Sequence, residues 1–295
     1  NHRKTFAVKH QDGEPLTRAD LQYDILYYLF TDPQAVFNDP FTTLHGDPAG
    51  TKVTFRDLYI NTLIHSPRCS KISREKLHDN PHFADEFSKM ALLSNVGRIN
   101  TTMAFFPEMR TALRTYHPVP SLQKTDGNLQ DAPRIKNILK SCLLPSELQN
   151  TPTTPPEVLN RSRSGSVPPT TIVNLIFIFA SHASVSHSLC AGAPRAFLWL
   201  CHHYYESTSP NPFDDAQSRK NPGQIPALEF LSPEEAQLEN VDTPEEKVWG
   251  EKMTAQRKLF MENKDKSDDG VVDYDETRRE KVSGRGRGRG RARRT

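Results

Sequence analysis

The densest group of potential metal ligands lies in the second half of the chain, where six cysteine and histidine side chains fall within 22 residues. They are His182, His187, Cys190, Cys201, His202 and His203. Thiolate and imidazole are ligands that zinc prefers, but the group contains no CxxC or HxxxH pair of the kind that marks a four-ligand site. Neighbouring residues on a helix also point apart, which separates Cys201 from His202. We therefore predict that this group binds no metal.

A second pattern with metal-binding character is DKSDDGVVDYDE, which has the ligand spacing of a calcium-binding EF-hand loop. Its key positions are Asp265, Ser267, Asp269, Gly270, Asp273 and Glu276. The next residues, TRREKVSG, offer almost nothing apolar to pack as an exit helix, and the sequence has no second loop to pair with this one. We favour a solvated acidic spacer over residues 262–277, with calcium binding as the alternative.

Motifs of known catalytic centres do not occur in the sequence. There is no nucleophile elbow of the form GxSxG and no glycine-rich phosphate loop of the Walker type. The histidines and serines in the second half of the chain therefore lack the context of a hydrolase site. We predict that the chain is not an enzyme and uses no cofactor or small-molecule substrate.

The most strongly charged stretch is residues 278–295, which carry nine Arg or Lys and one Glu, so that the preceding chain is mildly acidic. Glycine alternates with arginine here, and guanidinium groups pair bidentately with phosphates. The tail lacks the GRP core of a minor-groove binder and the aromatic residues that stack on bases. We predict a disordered tail that binds DNA in a sequence-tolerant, salt-sensitive way, with a solubilising or import role as the alternative. The predicted DNA-binding residues are Arg285, Arg287, Arg289, Arg291, Arg293 and Arg294.

The body that must position these features has a mixed composition. Its 295 residues allow one or two domains, but 23 prolines and a hydrophobic fraction of 35% indicate that part of the chain is unpacked. The four cysteines have no regular spacing, which is typical of a reduced intracellular protein. The longest apolar run, from Ile172 to Ala180, is about half of the ~20 residues that a membrane span needs. We predict no membrane segment.

Residues 9–144 are predicted to form a bundle of helices, because capping residues repeatedly precede apolar residues at helical spacing. The first helix is predicted to begin directly after its cap Thr17 and to end at Asn38–Pro40, with Leu21, Ile25, Tyr28 and Leu29 on one face. The second helix is predicted to begin directly after Thr54, and the third to run from Ser70 to Leu77. The fourth is predicted to begin at Pro81, after the cap Asn80, and to end at Gly97. A DNA-reading helix-turn-helix built from these three is the alternative to a protein-docking bundle, which we favour.

The stretch from Lys89 to Lys140 combines apolar helix faces with recurring basic residues. It is predicted to add a helix between Pro107 and Pro118 and another behind Asp131. An apolar face flanked by cations is typical of a surface that docks on another protein. The predicted protein-docking residues are Arg98, Arg110 and Arg114, together with Trp249 from the second half of the chain.

Residues 145–169 hold six prolines together with Ser and Thr and almost no apolar side chains. This composition predicts a disordered linker. Ser162, Ser164 and Ser166 lie beside Arg161 and Arg163, whose guanidinium groups could pair with a phosphate on any of them. Plain disorder without regulation is the alternative.

Residues 170–261 are predicted to form a second, mainly helical module. The apolar run that opens it could be a strand or a buried helix, and a short apolar helix follows from Ala196 to Tyr205. Ser232 and Thr243 each precede a proline and a glutamate at the spacing of a capping box. The last helix carries a stripe of Trp249, Met253 and Phe260, which could pack against the first module or against another subunit, and we favour packing in the core. The predicted fold is thus mostly α, with two helical modules, a disordered Pro/Ser-rich linker and a basic tail.

Several long strings, in order over most of residues 9–252, resemble one known family. They are DGEPLTRADLQYDILYYLF, FRDLYINTLIHSPRCSKISREKL, NVGRINTTMAFFPEMRTALRTYHPVPSLQ, LQDAPRIKNILK, IVNLIFIF, RAFLWL and SPEEAQLENVDTPEEKVWGE. They are similar to the fungal Ino eighty subunit one family, accessory components of the Ino-eighty nucleosome-remodelling complex. The connection between IVNLIFIF and RAFLWL is shorter here than the family pattern implies.

The resemblance implies a nuclear subunit that joins the N-terminal region of the remodeller ATPase and neighbours a high-mobility-group-box subunit. It also implies a position beside nucleosomal or linker DNA, with ATP hydrolysis belonging to the partner. We therefore predict a non-catalytic subunit whose helical body docks on protein and whose tail contacts DNA. The alternative is a free-standing RNA-binding protein that acts mainly through its Arg-Gly tail.

Overall fold

The computed structural model of the chain describes residues 16–97, 135–182, 193–206, 209–228 and 231–268, and it confirms a mostly α-helical fold. The helices within these ranges are α1 (Arg18–Leu21), α2 (Tyr23–Thr31), α3 (Phe55–His65), α4 (Lys71–Asp79), α5 (Pro81–Asn95), α6 (Ile135–Leu139), α7 (Pro155–Arg163), α8 (Ile172–His182), α9 (Ala193–Tyr205), α10 (Ala216–Lys220), α11 (Pro233–Leu238) and α12 (Pro244–Asp268). The predicted helix between Pro107 and Pro118 lies outside the described residues.

Most of the predicted helix starts are confirmed by their capping hydrogen bonds. The side chains of Thr54, Ser70 and Asn80 each accept a hydrogen bond from the backbone N–H three residues further on. Thr17 and Ser232 complete reciprocal capping boxes with the acidic residue at that position. These bonds satisfy backbone donors that have no partner inside the helix, so the local sequence is enough to fix where a helix begins.

The first helix differs from its prediction in length and in the face that it buries. The chain adopts a left-handed conformation at Gln22, with φ of 51°, which separates α1 from α2. α2 ends at Thr31 rather than near residue 38. Because the break rotates α2 relative to α1, Leu26 and Phe30 enter the core and Tyr28 is exposed.

Two short strands follow α2 and were not predicted. β1 (Phe37–Asn38) pairs antiparallel with β2 (Lys52–Val53), so that Phe37 lies opposite Val53. Strands of two residues are too short to show an alternating pattern in the sequence. The hairpin matters because it carries Phe37, which is fully buried, into the core.

One hydrophobic core contains residues from both halves of the chain. α8 lies against α3 and α5 from the first half and against α7 and α9 from the second. The apolar run that opens the second half is therefore a helix, and Leu175 and Ile176 in it are completely buried. The two predicted modules, residues 9–144 and 170–261, thus share a single core. Its members include Leu29, Phe30, Leu58, Tyr59, Phe87, Met90, Ile135, Ile138, Leu175, Ile176, Trp199 and Tyr205.

The prediction of a disordered linker over residues 145–169 is wrong. The segment forms a 3-10 turn at Pro145–Glu147 and then α7, which packs against α8 and α9 and buries Val158. Thr154 caps α7 and Pro155 is its first residue, a position where the missing N–H of proline costs nothing. Several of the prolines therefore start helical turns, and the buried Glu147 carboxylate holds the turn by accepting from Leu144 N–H at 2.8 Å.

Among the described residues, no helix combines the length and the apolar character that crossing a bilayer requires.

Candidate docking surface

The longest helix of the described chain, α12, extends away from the core. Its 25 residues correspond to a length of about 37 Å. Thr243 and Glu246 form its capping box, with bonds of 2.9 and 3.3 Å. None of the α12 side chains with a described exposure belongs to the hydrophobic core, so the helix must be held by other contacts.

A polar clasp, formed by residues 240–246 and residues 18–24, holds the start of α12 on α1 and α2. The guanidinium of Arg18 donates to both carboxylate oxygens of Glu246, at 2.8 and 3.2 Å, and Arg18 N–H donates to Asp242 at 2.6 Å. Asp24 and Asn240 exchange two further bonds, of 2.7 and 3.0 Å. The hydrogen bond to Glu246 raises the pKa of Arg18 above its ordinary value, although burial opposes the rise.

The two sides of α12 differ in exposure. Gly250 is buried and Trp249 and Met253 are half-buried, whereas Val248 is 65% exposed and Leu259 is 60% exposed. Val248, Ala255 and Leu259 follow at spacings of seven and four residues, which places them on one face of the helix. We call these three residues the outer stripe. Large aliphatic side chains aligned on an exposed helix are typical of a surface that another protein covers.

Trp249 does not occupy the core position that we favoured for it. It is half-buried, at the edge between the clasp and the outer stripe, and it makes contacts of its own. The reason is the clasp. Its polar contacts hold α12 against α1 and α2 without bringing the indole of Trp249 into the interior. The side chain of Phe260, the last member of the predicted stripe, lies outside the described residues.

Sequence reasoning missed a buried ionic cluster that joins the hairpin to the end of α9. The Glu206 carboxylate, at the end of α9, is 2% exposed and accepts bonds from the Asn38 backbone and side chain, at 2.5 and 2.7 Å. Lys52 on β2 supplies the positive charge. The partners are 154 and 168 residues apart in sequence, so no local signal could have joined them. The cluster fastens the hairpin to α9 and is structural.

A small cavity of about 160 Å³ lies beside the hairpin and is lined in part by Asp39, Asp47 and Asp57. It is smaller than the roughly 300 Å³ at which small-molecule sites begin. Each of these carboxylates already accepts hydrogen bonds: Asp39 from Phe41 N–H and Asn61, Asp47 from Thr43, and Asp57 from Thr54. The cavity is therefore a feature of packing rather than a candidate ligand site.

The cysteines and histidines that were considered as zinc ligands do not converge where the structure describes them. Cys201 and His202 are buried in α9, and burial raises the pKa of the Cys201 thiol and lowers that of His202 to about 4. His203 stacks on Trp199 with ring centroids 4.9 Å apart. The described residues contain no group of three or more potential ligands, and His187 and Cys190 lie outside them.

The EF-hand pattern begins inside a helix. α12 continues through Asp268, so the first four positions of the pattern have helical backbone. An EF-hand loop wraps irregular backbone around its ion, so a helical backbone at these four positions does not match it. Positions 269–276 lie outside the described residues.

The remaining predicted site residues are not described by the structure. Arg98, Arg110 and Arg114 belong to residues 98–134, and the six tail arginines belong to residues 269–295. Their roles in protein docking and DNA binding stay predictions.

Comparison with known proteins agrees with the resemblance of the sequence strings. The model of the Ino eighty subunit 1 N-terminal domain matches residues 1–195 and 186–261, which together make up most of the chain. The chain therefore belongs to this family of helical subunits.

Two curated relatives carry the same name. Ino eighty subunit 1 of Emericella nidulans is 37% identical over 292 residues, covering 88% of this chain and 36% of that protein. Ino eighty subunit 1 of Saccharomyces cerevisiae is 36% identical over 163 residues, covering 45% of this chain and 24% of that protein. The chain thus spans about a third or less of these relatives. No solved structure matches it significantly.

Proposed function

We propose that the chain is a non-catalytic, nuclear subunit of the Ino-eighty nucleosome-remodelling complex. It docks on another subunit through the outer stripe of α12 and contacts DNA through its Arg-Gly tail. The names of its relatives support membership of the complex. The outer stripe is the observation that carries the docking role, because it is apolar, exposed and held at a fixed angle by the clasp.

The proposed occupant of the outer stripe is a helix from the N-terminal region of the remodeller ATPase. One helix face offers a narrow strip, and an amphipathic partner helix matches such a strip in width and periodicity. Lys252 lies between the stripe residues, so an acidic residue on the partner would fix the register. The family resemblance is what directs the choice to the ATPase, with a high-mobility-group-box subunit as neighbour.

A short stretch of chain connects the tail to the end of α12. Nine residues separate the end of α12 at Asp268 from Arg278, and a chain of that length reaches at most about 35 Å. A partner seated on α12 would therefore keep the tail near any DNA that the partner contacts. Tethering of this kind raises the local concentration of the arginines at the DNA without requiring tight binding by the tail alone.

Glutamate at two stripe positions is expected to release the ATPase. The double variant Val248→Glu, Leu259→Glu should co-purify with the ATPase at least tenfold less than the natural chain, because loss of even one anchor that contributes roughly 1.5–3 kcal/mol when buried weakens binding about tenfold or more. The measurement is the molar ratio of ATPase to tagged chain after purification from nuclease-treated nuclear extract, by quantitative mass spectrometry. Glutamate is a good helix former, so α12 should persist in circular dichroism.

Ile72 on α4 provides a matched control. It is 68% exposed, and it lies on a different helix, so Ile72→Glu makes the same kind of apolar-to-glutamate change away from the outer stripe, with one added charge where the double variant has two. This variant should retain the ATPase at the natural ratio. Equal retention by the double variant and the control would refute α12 as the docking surface, and recovery of the natural chain without the ATPase would refute membership of the complex.

The tail arginines are expected to set the salt dependence of DNA binding. Changing all six of residues 285, 287, 289, 291, 293 and 294 to alanine should reduce the slope of log K against log [salt] by about 5, since each phosphate contact contributes about 0.9. The same six changes to lysine should keep most of the slope. The readout is fluorescence anisotropy with duplex DNA from 50 to 200 mM salt.

The same titration separates the proposal from its alternative. A slope unchanged by the alanine variant would show that the tail does not bind DNA. Tighter binding to single-stranded RNA than to duplex DNA, with partners that are lost on ribonuclease treatment, would favour a free-standing RNA-binding protein.

A further inference from the structure

Three serines in and directly after the last turn of α7 differ sharply in accessibility. Ser162 is buried in the helix, whereas Ser164 and Ser166 are exposed. Residues 163–167, Arg-Ser-Gly-Ser-Val, form a continuous exposed stretch at the point where the helix ends. A protein kinase must bind its substrate over several residues on both sides of the acceptor, so only this stretch of α7 is open to one.

The end of α7 distinguishes Ser166 from Ser164. Gly165 is left-handed, with φ of 94°, and its N–H donates to Ser162 O at 3.0 Å, while Ser166 N–H donates to Arg161 O at 3.1 Å. These two bonds form a Schellman motif, in which Gly165 is the first residue beyond the helix cap and Ser166 is the second. The Ser164 hydroxyl is engaged in the helix end, because it donates to Arg161 O at 2.8 Å. Ser166 therefore presents its hydroxyl from irregular, exposed backbone.

The surroundings of Ser166 favour a kinase that recognises arginine. Arg163 lies three residues before it and is exposed, and Val167, directly after it, is 46% exposed although apolar. A cation upstream and an apolar side chain downstream give a kinase one charge-assisted contact and one hydrophobic contact. The carboxylate of Glu157, the acidic residue of α7, lies at the opposite end of the helix, where it caps Thr153 N–H at 2.7 Å.

We propose that Ser166 is a phosphorylation site for an arginine-directed serine/threonine kinase. The serine Oγ attacks the γ-phosphorus of ATP, the bond from that phosphorus to the β,γ-bridging oxygen breaks, and ADP leaves while the hydroxyl proton passes to the kinase base or to water. The phosphate adds a charge of about −1.5 to −2 beside Arg161 and Arg163. Arg163 is the exposed partner for this charge, because the Arg161 guanidinium already donates to Asn150 O and lies 3.8 Å from the buried Glu147 carboxylate.

The test uses the full chain, ATP and the catalytic subunit of cyclic-AMP-dependent kinase as an arginine-directed probe. Tandem mass spectrometry should assign most of the incorporated phosphate to Ser166. Ser166→Ala should remove most of the incorporation, and Ser162→Ala should leave it unchanged. Arg163→Ala should slow it by about tenfold, the loss expected for one charge-assisted contact.

Three results would overturn the proposal. They are incorporation mainly at Ser162 or Ser164, incorporation that survives Ser166→Ala, and no incorporation while a standard peptide substrate is phosphorylated in the same tube. Isolation of the chain from growing cells gives a second readout, in which phosphate at Ser166 on a measurable fraction of molecules is the expected result. Complete absence of that phosphate under every growth condition sampled would also count against the site.

Discussion

Replacing Lys89 with methionine is expected to destabilise the fold by about 3–5 kcal/mol, because it leaves the carboxylate of Glu86 buried without its cation. Both side chains of this pair on α5 are about 5% exposed or less, and Lys89 Nζ lies 2.7 Å from Glu86 Oε1. Tyr23 on α2 joins them, donating to Glu86 at 3.1 Å and accepting from Lys89 at 3.2 Å. The free energy of unfolding from urea titration is the measurement.

Two variants isolate the cause of this loss. Lys71→Met removes a lysine that is 89% exposed and 3.8 Å from Glu75, and it should change stability by less than about 0.5 kcal/mol. The double variant Glu86→Gln, Lys89→Met should recover most of the loss, because no charge is then left buried and glutamine can still accept from Tyr23. If Lys89→Met resembles Lys71→Met, the pair does not stabilise the fold.

The pH dependence of this variant has a definite sign. Burial lowers the pKa of Lys89, but Glu86 and Tyr23 outweigh it and raise the pKa above the ordinary value of 10.5. A lysine whose folded pKa is raised stabilises the fold fully below its unfolded pKa and loses that contribution as pH rises through the folded value. The difference in stability between the natural chain and Lys89→Met should therefore be constant near neutral pH and shrink as the pH rises above about 10.5.

The local parts of the fold could be predicted from the sequence. Thr54, Asn80, Ser232 and Thr243 fix helix starts through bonds that span three residues, and these starts are confirmed. A cap needs only its own side chain and the next few backbone groups, so its pattern is complete within the sequence window that shows it.

The parts that depend on distant contacts could not be predicted. Residues 145–169 look like a linker because little in their composition is apolar, but Val158 and Glu147 are buried by helices from elsewhere in the chain. Glutamine is not a residue type that favours a left-handed backbone. The left-handed conformation of Gln22 nevertheless decides which face of α2 meets the core. In each case the local structure depends on tertiary contacts with residues far away in the sequence.

For the candidate docking surface as well, the start of the helix could be predicted from the sequence, but its orientation could not. The helix that carries Trp249 was predicted from the cap at Thr243, but its orientation depends on Arg18, which is 228 residues away from Glu246. The contacts of the clasp cannot be read from the sequence, so the sequence alone does not indicate which of the two apolar faces of α12 is turned towards the rest of the fold. The structure assigns the half-buried flank to Trp249 and Met253 and leaves Val248 and Leu259 exposed.

Phe37→Ala is expected to lower the free energy of unfolding by about 3–5 kcal/mol. This loss should affect both halves of the chain together. Phe37 is fully buried, and its ring centroid lies between 5.7 and 6.2 Å from those of four aromatic rings. The four rings belong to Phe55 on α3, His202 and Tyr205 on α9, and Phe213 beyond α9. Removing the ring opens a cavity at the junction of these elements, which packed neighbours refill only in part.

A single core predicts that this loss appears as one shifted transition. Urea unfolding followed by far-ultraviolet circular dichroism reports all helices, whereas tryptophan fluorescence reports Trp199 and Trp249, and the two curves should move together. Phe177→Ala is the matched control, because Phe177 is 57% exposed on α8 and its loss should change stability by no more than about 0.5 kcal/mol. Two separate transitions, with only one displaced by Phe37→Ala, would instead indicate that the halves fold as independent modules joined at the hairpin.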